Sequence, residues 1–421
     1  MLLSILYGKD RLKLDTGAIM PALITPPGKK HGKFNASNEF RKALARPDGT
    51  KPLKKIVKQS DTVAIVVPDK TRPNAFKPLL PILLAELHKT GIKKDNITFI
   101  IATGTHSGHT QAEKTALLGN IPCKQYKIID HDCHDEKNMR YAGATARGTE
   151  VYYNRHVFNA DKVITIGIAG YHYYAGYNGG RKTIMPGVAG YNSIQQNHSL
   201  VFNPPDKGGK NPLAISGMLK GNPVHEDMLE SAKLLGVDFS INLILDTDKN
   251  IAGIFAGDME KSHLRACKEL DRLYHAKIKG LADCVIVSAG GYPRDINYVQ
   301  AHKSIETASK ALKPGGTMLV FAECVDGFGS ERIKQWFKAG SPAVIEKRLR
   351  RKFEVPGNTV LSSLAKSDKF NIYLYSGMSK EDVGLMGLKP LTDIGQAEDI
   401  INAFSNKKIY AIPDGNSVMP K

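Results

Sequence analysis

Short runs of apolar and β-branched residues recur along this chain, and each is followed by a polar loop and a helical pattern. Runs that are apolar almost throughout and are separated by helices indicate parallel strands covered on both faces. We therefore predict an α/β fold with mostly parallel sheets, with covering helices that include Pro78–Leu87 and Ser304–Leu312. The predicted strands are Thr62–Val67, Ile97–Ala102, Val163–Ile166, Cys284–Ser288, Met318–Phe321 and Asn371–Tyr375.

The length of the chain, 421 residues, suggests two or three domains at roughly 150 residues per domain. A charged helical pattern gives way to a new apolar run near Gly280. We predict an N-terminal α/β domain over residues 1–275, rejoined by about 405–421, and a C-terminal α/β domain over 281–400. Ligands of open α/β sheets bind beyond the carboxyl ends of the strands. We expect the active site in the cleft between the two domains, with the second domain closing over the substrate.

The charge balance is strongly positive, with 59 Lys and Arg against 41 Asp and Glu and a net charge of +18. Such a chain attracts anions, including nucleic acid, phosphorylated cofactors and carboxylates, although a solvated lysine-rich surface explains the balance equally. The lysines are spread out in short runs such as Lys54–Lys55, with no basic tail of the kind that binds nucleic acid. We therefore expect a small anionic ligand and no nucleic-acid partner.

The cysteines and the apolar runs bear on the compartment. The five cysteines are scattered, odd in number and lack a CxxC pair, which disfavours a disulfide framework and a structural zinc site. The apolar stretch Leu2–Tyr7 is too short for a signal peptide, and no run approaches the ~18 residues of a membrane span. We predict a cytoplasmic protein with no membrane partner. A homo-oligomeric assembly is left open.

The stretch from His172 to His198 is the richest in reactive residues. Gly179 and Gly180 allow unusual backbone angles or the close approach of a ligand. Arg181 places a like charge beside Lys182, which should lower the pKa of that amine and favour a neutral nucleophile able to bond a cofactor. On spacing alone, a glycine-rich turn with two surface cations explains the same residues.

Two histidine-bearing loops follow predicted strands. Thr103–His106 precedes a helical pattern, where backbone N–H groups form an anion site and His106 can act as a general base. A capping loop with an exposed histidine fits the same residues. The loop His131–Glu136 looks like a metal cluster but lacks zinc-type spacing, so we interpret it as a polar loop after a strand at Tyr126–Ile129.

Two further groups of residues are suited to an anionic ligand. Asp69 and Arg72 follow a predicted strand, and an arginine can bind a carboxylate or phosphate through two parallel hydrogen bonds. Gly290–Asp295 follows the first strand of the second domain, and Gln300 and Lys303 beyond it share one helix face because they are three residues apart. Taken alone, a surface Asp–Arg pair and an ordinary loop before a helix explain these residues as well.

Together these loops resemble the lactate racemase family, whose cofactor is a nickel-pincer nucleotide, a pyridinium thioamide/thiocarboxylate mononucleotide that holds nickel. The similarity covers nearly the whole chain, and its order and spacing agree throughout. It rests on Pro68–Pro73, Ala102–His106, His172–Lys182, Asn197–His198, and Gly290–Pro293 with Gln300 and Lys303.

The resemblance implies a role for each candidate residue. Lys182 would carry the cofactor covalently, and His198 would be the protein ligand to nickel beside two sulfurs and a carbon of the cofactor, a soft planar set that suits nickel. His106 and His172 would be the catalytic acid/base pair. The other cofactor-binding residues would be Asp69, Thr103, Gly104, Thr105, Gly179, Gly180 and Arg181. The substrate would be bound by Arg72, Tyr298, Gln300 and Lys303.

The implied reaction inverts the 2-carbon of a 2-hydroxy acid by proton-coupled hydride transfer. One histidine takes the hydroxyl proton while the hydride moves to the cofactor, and the planar 2-keto acid receives the hydride on its other face before the second histidine returns a proton. Two bases on opposite sides are what inversion requires. The implied partners are the small-molecule substrate and the enzymes that synthesise the cofactor.

The sequence departs from the family pattern in two places. Gly170 and Tyr171 stand where an acidic residue and a proline are expected, and Val299 stands where an aromatic residue is expected. The nearby hydroxyls of Tyr173, Tyr174 and Tyr177 can pair with a polar substrate, although these tyrosines also fit as packing residues. We therefore expect a substrate other than lactate, namely a longer, polar or aromatic 2-hydroxy acid.

Three competing interpretations remain open at this point. A nicotinamide-type 2-hydroxy acid dehydrogenase would carry a GxGxxG turn after its first strand, and the chain has none there. A basic nucleic-acid-binding protein would cluster its positive charge on one face. A binding module without catalysis would not need His106, His172, Lys182 and His198 together.

Overall fold

The computed structural model describes residues 1–26 and 34–421. Within those residues the strands are β1 Leu2–Tyr7, β2 Asp10–Asp15, β3 Ala22–Leu23, β4 Val63–Pro68, β5 Ile97–Ala102, β6 Lys127–Asp130, β7 Met139–Ala144, β8 Glu150–Asn154, β9 Lys162–Ala169, β10 Tyr171–His172, β11 Gly176–Tyr177, β12 Phe239–Leu245, β13 Ile251–Gly257, β14 His275–Ala276, β15 Ala282–Ser288, β16 Leu312–Phe321, β17 Asn371–Tyr375, β18 Lys389–Leu391, β19 Ile409–Ile412 and β20 Met419–Pro420.

The helices of the same residues are α1 Ala36–Ala45, α2 Leu80–His88, α3 Gln111–Leu118, α4 Asn120–Gln125, α5 Arg155–Phe158, α6 Tyr191–Ser199, α7 Pro223–Leu235, α8 Met259–Tyr274, α9 Tyr298–Ala308, α10 Glu331–Phe337, α11 Pro342–Arg351, α12 Val355–Lys369, α13 Lys380–Leu385 and α14 Ile394–Asn402. Short 3-10 turns lie at Leu53–Lys55, Lys77–Leu79, Lys94–Asn96, Glu136–Asn138, Gly180–Thr183 and Ser309–Ala311. None of the described helices is long and apolar enough to cross a membrane.

The chain divides into two compact units. The central unit comprises Lys30–Leu270, and the terminal unit comprises Met1–Lys29 together with Asp271–Lys421. The predicted boundary lies close to Asp271. Both chain ends were predicted to belong to the first domain, but in the structure both belong to the terminal unit. Residues 405–421 do not rejoin the first domain, because β19 pairs in parallel with β15 on one side and with β3 on the other.

The central unit contains a six-stranded sheet in the order β13-β12-β9-β4-β5-β6. All neighbouring strands in it are parallel except β12 and β13. Every residue of β4 is buried, as expected for a central strand that is apolar throughout. The chain runs outward from β4 to β5 and β6 and then returns to the other side of β4 as β9. The strand order therefore reverses between β4 and β9, the kind of point at which open α/β sheets bind ligands.

The terminal unit contains a second six-stranded sheet, β18-β17-β16-β15-β19-β3, in which all pairs are parallel. The two parallel sheets confirm the predicted fold class. One helix differs from its predicted position: α9 begins at Tyr298 because the Asn297 side chain accepts a hydrogen bond from the Gln300 backbone N–H and caps the first turn. The helix ends before Leu312, which opens β16.

Each sheet is held by an apolar core of its own. In the central unit, Leu83 of α2 belongs to one buried cluster with Ile65 and Phe99 of the sheet, all at 0% exposure. In the terminal unit, Leu14 belongs to a cluster with Ile286 and Phe321. Burying one such side chain contributes about 1.5–3 kcal/mol. These cores fix the strands whose carboxyl ends carry the candidate site.

Candidate active site

Three loops that carry predicted site residues leave neighbouring strands at the same edge of the central sheet. Asp69 follows β4, Thr103 follows β5, and the loop to His172 follows β9. Because β4 lies between β5 and β9 and all three strands are parallel, their carboxyl ends meet at one edge. The predicted location of the chemistry after these strands agrees with this arrangement.

His106 and Asp69 form a hydrogen-bonded pair. The Nδ1 atom of His106 lies 2.6 Å from Oδ2 of Asp69, whose side chain is 3% exposed against 45% for the histidine. Thr71 donates to the other carboxylate oxygen at 2.7 Å. Burial raises the pKa of Asp69, but the hydrogen bonds from His106 and Thr71, with the charges of His106 and Arg72, hold it below the ordinary value. The ionised Asp69 thus keeps a proton on Nδ1 and leaves Nε2 of His106 to accept one.

The Thr103–His106 loop does not form the predicted anion site at a helix start. The following helix, α3, begins only at Gln111, and Thr110 and Glu113 cap each other's backbone N–H groups at 3.2 and 2.8 Å. Thr103 donates through its hydroxyl to the His131 carbonyl, and Gly104 N–H donates to the Gly187 carbonyl at 3.0 Å. The roles of Thr103, Gly104 and Thr105 toward a cofactor stay predictions.

Tyr174 is the residue around which three predicted site residues converge. Its ring lies edge-on to the His172 ring at 4.5 Å and to the His198 ring at 5.4 Å between centroids. The Nζ atom of Lys182 lies 6.0 Å from the centre of the same ring. Tyr174 is only 3% exposed. It is therefore the apolar wall that brings a lysine and two histidines together.

Lys182 has the electrostatic surroundings of a neutral amine. Its pKa is held well below the ordinary value by burial, and next by the positive charges of Arg181 and Arg72. The predicted effect of Arg181 on the pKa of Lys182 is confirmed, although burial is the larger cause. A lowered pKa makes the unprotonated amine, which is the nucleophilic form, easier to reach.

Hydrogen bonds fix the orientation of both buried histidines. The Ala175 backbone N–H donates to Nδ1 of His172 at 3.1 Å, so the neutral ring carries its proton on Nε2. His198 has the opposite tautomer, since its Nδ1 lies 3.0 Å from the Oδ1 atom of Asn197. Burial lowers the pKa of His172 and His198 well below the ordinary value, and the charge of Lys182 lowers both further. Both rings are neutral at neutral pH.

Arg181 binds protein rather than solvent. Its side chain is 1% exposed, and its Nη2 donates to the Ala175 carbonyl at 2.7 Å while Nη1 donates to the Gly179 carbonyl at 3.4 Å. It thereby fastens the segment between His172 and Lys182. Its predicted contact with a cofactor stays a prediction.

The two glycines before Arg181 are required by their conformation and by close packing. Gly179 and Gly180 have φ angles of 80° and 52°. A Cβ atom on Gly180 would lie 2.7 Å from Cγ of His263, and one on Gly179 would lie 3.0 Å from Oδ1 of Asn242. Protein atoms, and not a ligand, therefore explain both glycines, and their role in cofactor binding stays a prediction.

The predicted substrate residues of the terminal unit fall into two groups. Gln300 and Lys303 share one face of α9, as predicted, and Nζ of Lys303 donates to Oε1 of Gln300 at 2.6 Å. Tyr298 is a correction, because it is 1% exposed and its hydroxyl is hydrogen-bonded to Ser363 in the core of the unit. Substrate binding by Gln300 and Lys303, and the location of the site between the domains, stay predictions.

Two of the three tyrosines predicted to offer hydroxyls to a substrate are packing residues. Tyr174 and Tyr177 are 3% and 2% exposed, and the Tyr177 ring packs against Tyr171 at 5.4 Å. Tyr173 is less buried and stacks on His172 at 5.4 Å. Of the three tyrosines, only Tyr173 therefore remains a candidate for a hydrogen bond with a polar substrate.

The His131 loop is structural. His131 is 2% exposed, with Nε2 2.9 Å from the Ala189 carbonyl and Nδ1 3.3 Å from the side-chain amide of Asn154. In the part of the chain that the structure describes, no three His, Cys, Asp or Glu side chains are arranged to hold a metal ion. Neither the central place of Tyr174 in the site nor the contact of Asp227 with Asn197 was predicted from the sequence. The residues next to Tyr174 and Asp227 in the sequence form no pattern from which these contacts could be predicted.

Three buried histidines of the central unit predict a loss of stability in mild acid. Burial lowers the pKa of His131 to about 4, of His263 to about 3 and of His225 to about 2, whereas histidines of an unfolded chain titrate near 6.5. Below that pH the unfolded chain binds protons that the folded chain does not, so the free energy of unfolding falls by about 1.4 kcal/mol per pH unit for each histidine. Urea midpoints should change little from about pH 7.5 to about pH 7 and then fall with increasing slope down to about pH 5. A constant midpoint would contradict the assignment of these rings as neutral.

Comparison with known proteins places these observations in a family. The Lactate racemase N-terminal domain model matches residues 7–209, and the Lactate racemase C-terminal domain model matches residues 278–420. The lactate racemase of Thermoanaerobacterium thermosaccharolyticum is 33% identical over 424 residues, covering 98% of this chain and 97% of the relative. The lactate racemase of Lactiplantibacillus plantarum is 33% identical over 310 residues, covering 73% and 71%.

Solved structures agree with this result. The lactate racemase apoprotein of Thermoanaerobacterium thermosaccharolyticum superposes with a TM-score of 0.89 at 31% identity, covering 100% of both chains. A Thermotoga maritima protein superposes with a TM-score of 0.62 at 16% identity over 86% of this chain and 94% of its own, which supports the fold alone.

The fold and these matches define the class of protein as an isomerase of the racemase type. The chain belongs to the lactate racemase family, as its loops suggested.

Proposed function

We propose that this chain interconverts the two enantiomers of a 2-hydroxy acid, lactate in the first place, with a nickel-pincer nucleotide bonded to Lys182. The observation that carries the proposal is the convergence of Lys182, His172 and His198 on the ring of Tyr174. Two relatives named lactate racemase, one matched over 97% of its length and the other over 71%, support the substrate. Tyr174 and Tyr177 are buried, so two of the three hydroxyls that would favour a more polar substrate are packed inside the protein.

The residues of the site fit such a cofactor. Lys182 offers an amine whose pKa is lowered by burial and by neighbouring cations, as a covalent attachment at neutral pH requires. His198 donates from Nδ1 to Asn197, so the lone pair of the neutral ring is on Nε2, the atom that can bind nickel. One histidine suffices as protein ligand where the cofactor brings its own donor atoms, so a cluster of three protein ligands is not needed. When bound, the cofactor supplies an acceptor and donor for the hydride at the 2-carbon.

The chain's own residues move the proton and hold the substrate. Nε2 of His106, held by Asp69, accepts the proton of the 2-hydroxyl group. His172 presents an Nε2–H to the reacting oxygen while Ala175 holds its Nδ1. To return a proton from Nε2, the ring has first to take one at Nδ1, which requires release of that backbone hydrogen bond. Arg72 places its charge close to His172 and Lys182, where a carboxylate would be attracted. General acid/base assistance of this kind is worth roughly 10²–10⁴-fold.

The test is racemisation of single-enantiomer substrates by protein produced together with the cofactor-synthesis enzymes. Lactate labelled with deuterium at the 2-carbon should racemise in ordinary water with its label retained, because the hydrogen leaves and returns as a hydride. Loss of the label to solvent would replace hydride transfer by deprotonation at carbon. Nickel should be present at about one ion per chain in active protein.

Substrate choice is tested with the same preparation. A panel of lactate, malate, phenyllactate and sugar acids, each as one enantiomer, is followed by chiral separation. We expect lactate to have the highest kcat/KM, because the apolar burial of Tyr174 and Tyr177 removes two of the hydroxyls that would favour polar side chains. A higher kcat/KM for a larger hydroxy acid would instead assign the specificity to Gly170, Tyr171 and Val299. Such a result would leave the reaction class unchanged.

A further inference from the structure

A line of buried polar groups connects His198 with the hairpin of β7 and β8. Nδ1 of His198 donates to Oδ1 of Asn197 at 3.0 Å, and Nδ2 of Asn197 donates to Oδ2 of Asp227 at 2.8 Å. The hydroxyls of Thr145 and Thr149 donate to the two oxygens of the same carboxylate at 2.5 and 3.0 Å. Asn197 and Asp227 are both at 0% exposure. We call these five residues the Asp227 network.

The carboxylate of Asp227 dictates the orientation of the Asn197 amide. An ionised carboxylate only accepts hydrogen bonds, so it requires the NH₂ group of Asn197 to face it. The Val224 carbonyl accepts from the same NH₂ group at 3.2 Å and favours the same orientation. The amide oxygen is then left to face His198, where it accepts the Nδ1–H. A reversed amide would set two acceptors against each other at Asp227, and its NH₂ group would require His198 to carry its proton on Nε2.

Asp227 is also an unusual carboxylate within the described residues. It is fully buried and takes part in none of the described ion pairs, and its hydrogen bonds come from two hydroxyls and one amide. A buried charge without a cation is expensive to keep, whereas an amide of the same shape would hold a hairpin to a helix without that cost. The acceptor-only character of the carboxylate is what an amide cannot reproduce. We infer that the carboxylate is charged in order to hold the Asn197 amide in one orientation and, through it, the proton of His198 on Nδ1.

We propose that Asp227 is a positioning residue that sets the tautomer of His198 through Asn197, so that the ring presents the lone pair of Nε2 to nickel. The use of His198 as the nickel ligand rests on the proposed function, and the control of its tautomer does not. Groups behind a metal-binding histidine commonly orient the ring and fix its tautomer in this way, and their loss weakens metal binding by about 10–100-fold.

The tautomer can be measured directly in the apoprotein. Protein labelled with ¹⁵N-histidine gives long-range nitrogen–proton correlations that distinguish Nδ1–H from Nε2–H, and His198→Gln identifies the signals of His198. We expect the Nδ1–H tautomer in the unaltered protein. In Asp227→Asn the introduced amide can donate to Asn197, whose amide is then able to turn, so His198 should shift toward the Nε2–H tautomer. In the loaded protein the same variant should release nickel about 10–100-fold faster, with an altered visible absorption of the nickel.

Two further variants keep the test decisive. Asp238→Asn is the matched control, since Asp238 accepts hydrogen bonds from Lys162 and Val163 in the same unit; it should leave the tautomer of His198 unchanged. Asn197→Ala removes the link while Thr145 and Thr149 still bind Asp227, and it serves if Asp227→Asn does not fold. An unchanged Nδ1–H tautomer in the folded Asp227→Asn or Asn197→Ala variant would overturn the proposal. If the unaltered protein binds no nickel, the proposed function fails, and the apoprotein spectra still decide the role of Asp227.

Discussion

Lys182→Ala should abolish racemisation and leave the protein without its covalent cofactor. The pKa of the Lys182 amine is lowered by burial and by the charges of Arg181 and Arg72. Alanine has no amine with which to form the covalent bond to the cofactor. Loss of a residue that reacts covalently costs on the order of 10⁴-fold or more in kcat. Intact-mass spectrometry of protein produced with the cofactor-synthesis enzymes should show an adduct on the unaltered chain, and peptide mapping should place it on Lys182.

Two substitutions accompany this measurement. Lys182→Arg keeps a long nitrogen-bearing side chain, but its guanidinium always carries its proton, so this variant should fail as completely as alanine. Lys124→Ala, at an exposed lysine of α4, should retain both adduct and activity. Full activity in protein with an unmodified Lys182 would refute the covalent attachment and, with it, the proposed cofactor.

Replacement of either histidine of the proposed pair should reduce kcat by roughly 10²–10⁴-fold while the adduct on Lys182 is retained. His106→Ala removes the ring that Asp69 holds with its acceptor nitrogen outward, and His172→Ala removes the Nε2–H donor. Asp69→Asn should resemble His106→Ala in kcat, because an amide can no longer hold the proton on Nδ1 of His106. The measurement is the rate of racemisation of each variant, started from each enantiomer of the substrate in turn.

The control for this series is a histidine elsewhere in the unit. His156→Gln, in α5, should racemise at the normal rate. Near-normal turnover in His106→Ala or His172→Ala would show that the histidine concerned is structural. Loss of the adduct in either variant would instead indicate a defect in cofactor attachment, so mass and rate have to be measured on the same sample.

Much of the fold follows from local patterns in the sequence. The strands Ile97–Ala102 and Asn371–Tyr375 are as predicted, because short runs rich in apolar, β-branched and aromatic residues favour strands. The start of α9 was missed by six residues because it depends on one side chain, Asn297, that closes the first turn. The assignment of residues 405–421 failed for another reason. β3 and β19 are far apart in the chain, and no residue pattern in either strand indicates that the two pair.

The candidate site shows the same division. The reactive residues His106, Lys182 and His198 could be named from the sequence because their chemistry and spacing match a known family. Their partners could not, since Tyr174 was interpreted by its hydroxyl and its structural contribution is the face and edge of its ring. Asp227 lies thirty residues from Asn197, and only the packing of α7 beside α6 brings the two side chains together.

The division of the chain into a contiguous central unit and a terminal unit built from both ends has a consequence for biosynthesis. The central unit can complete its sheet as soon as β13 has left the ribosome, since all six of its strands lie between β4 and β13. The edge strand β3 must wait for β19, which is translated about 390 residues later, or roughly 20–80 s at bacterial elongation rates. During that interval β3 has no neighbouring strand to pair with, whereas β1 and β2 can pair with each other. We therefore expect Ala22–Leu23 to enter the terminal sheet only after β19 has been translated.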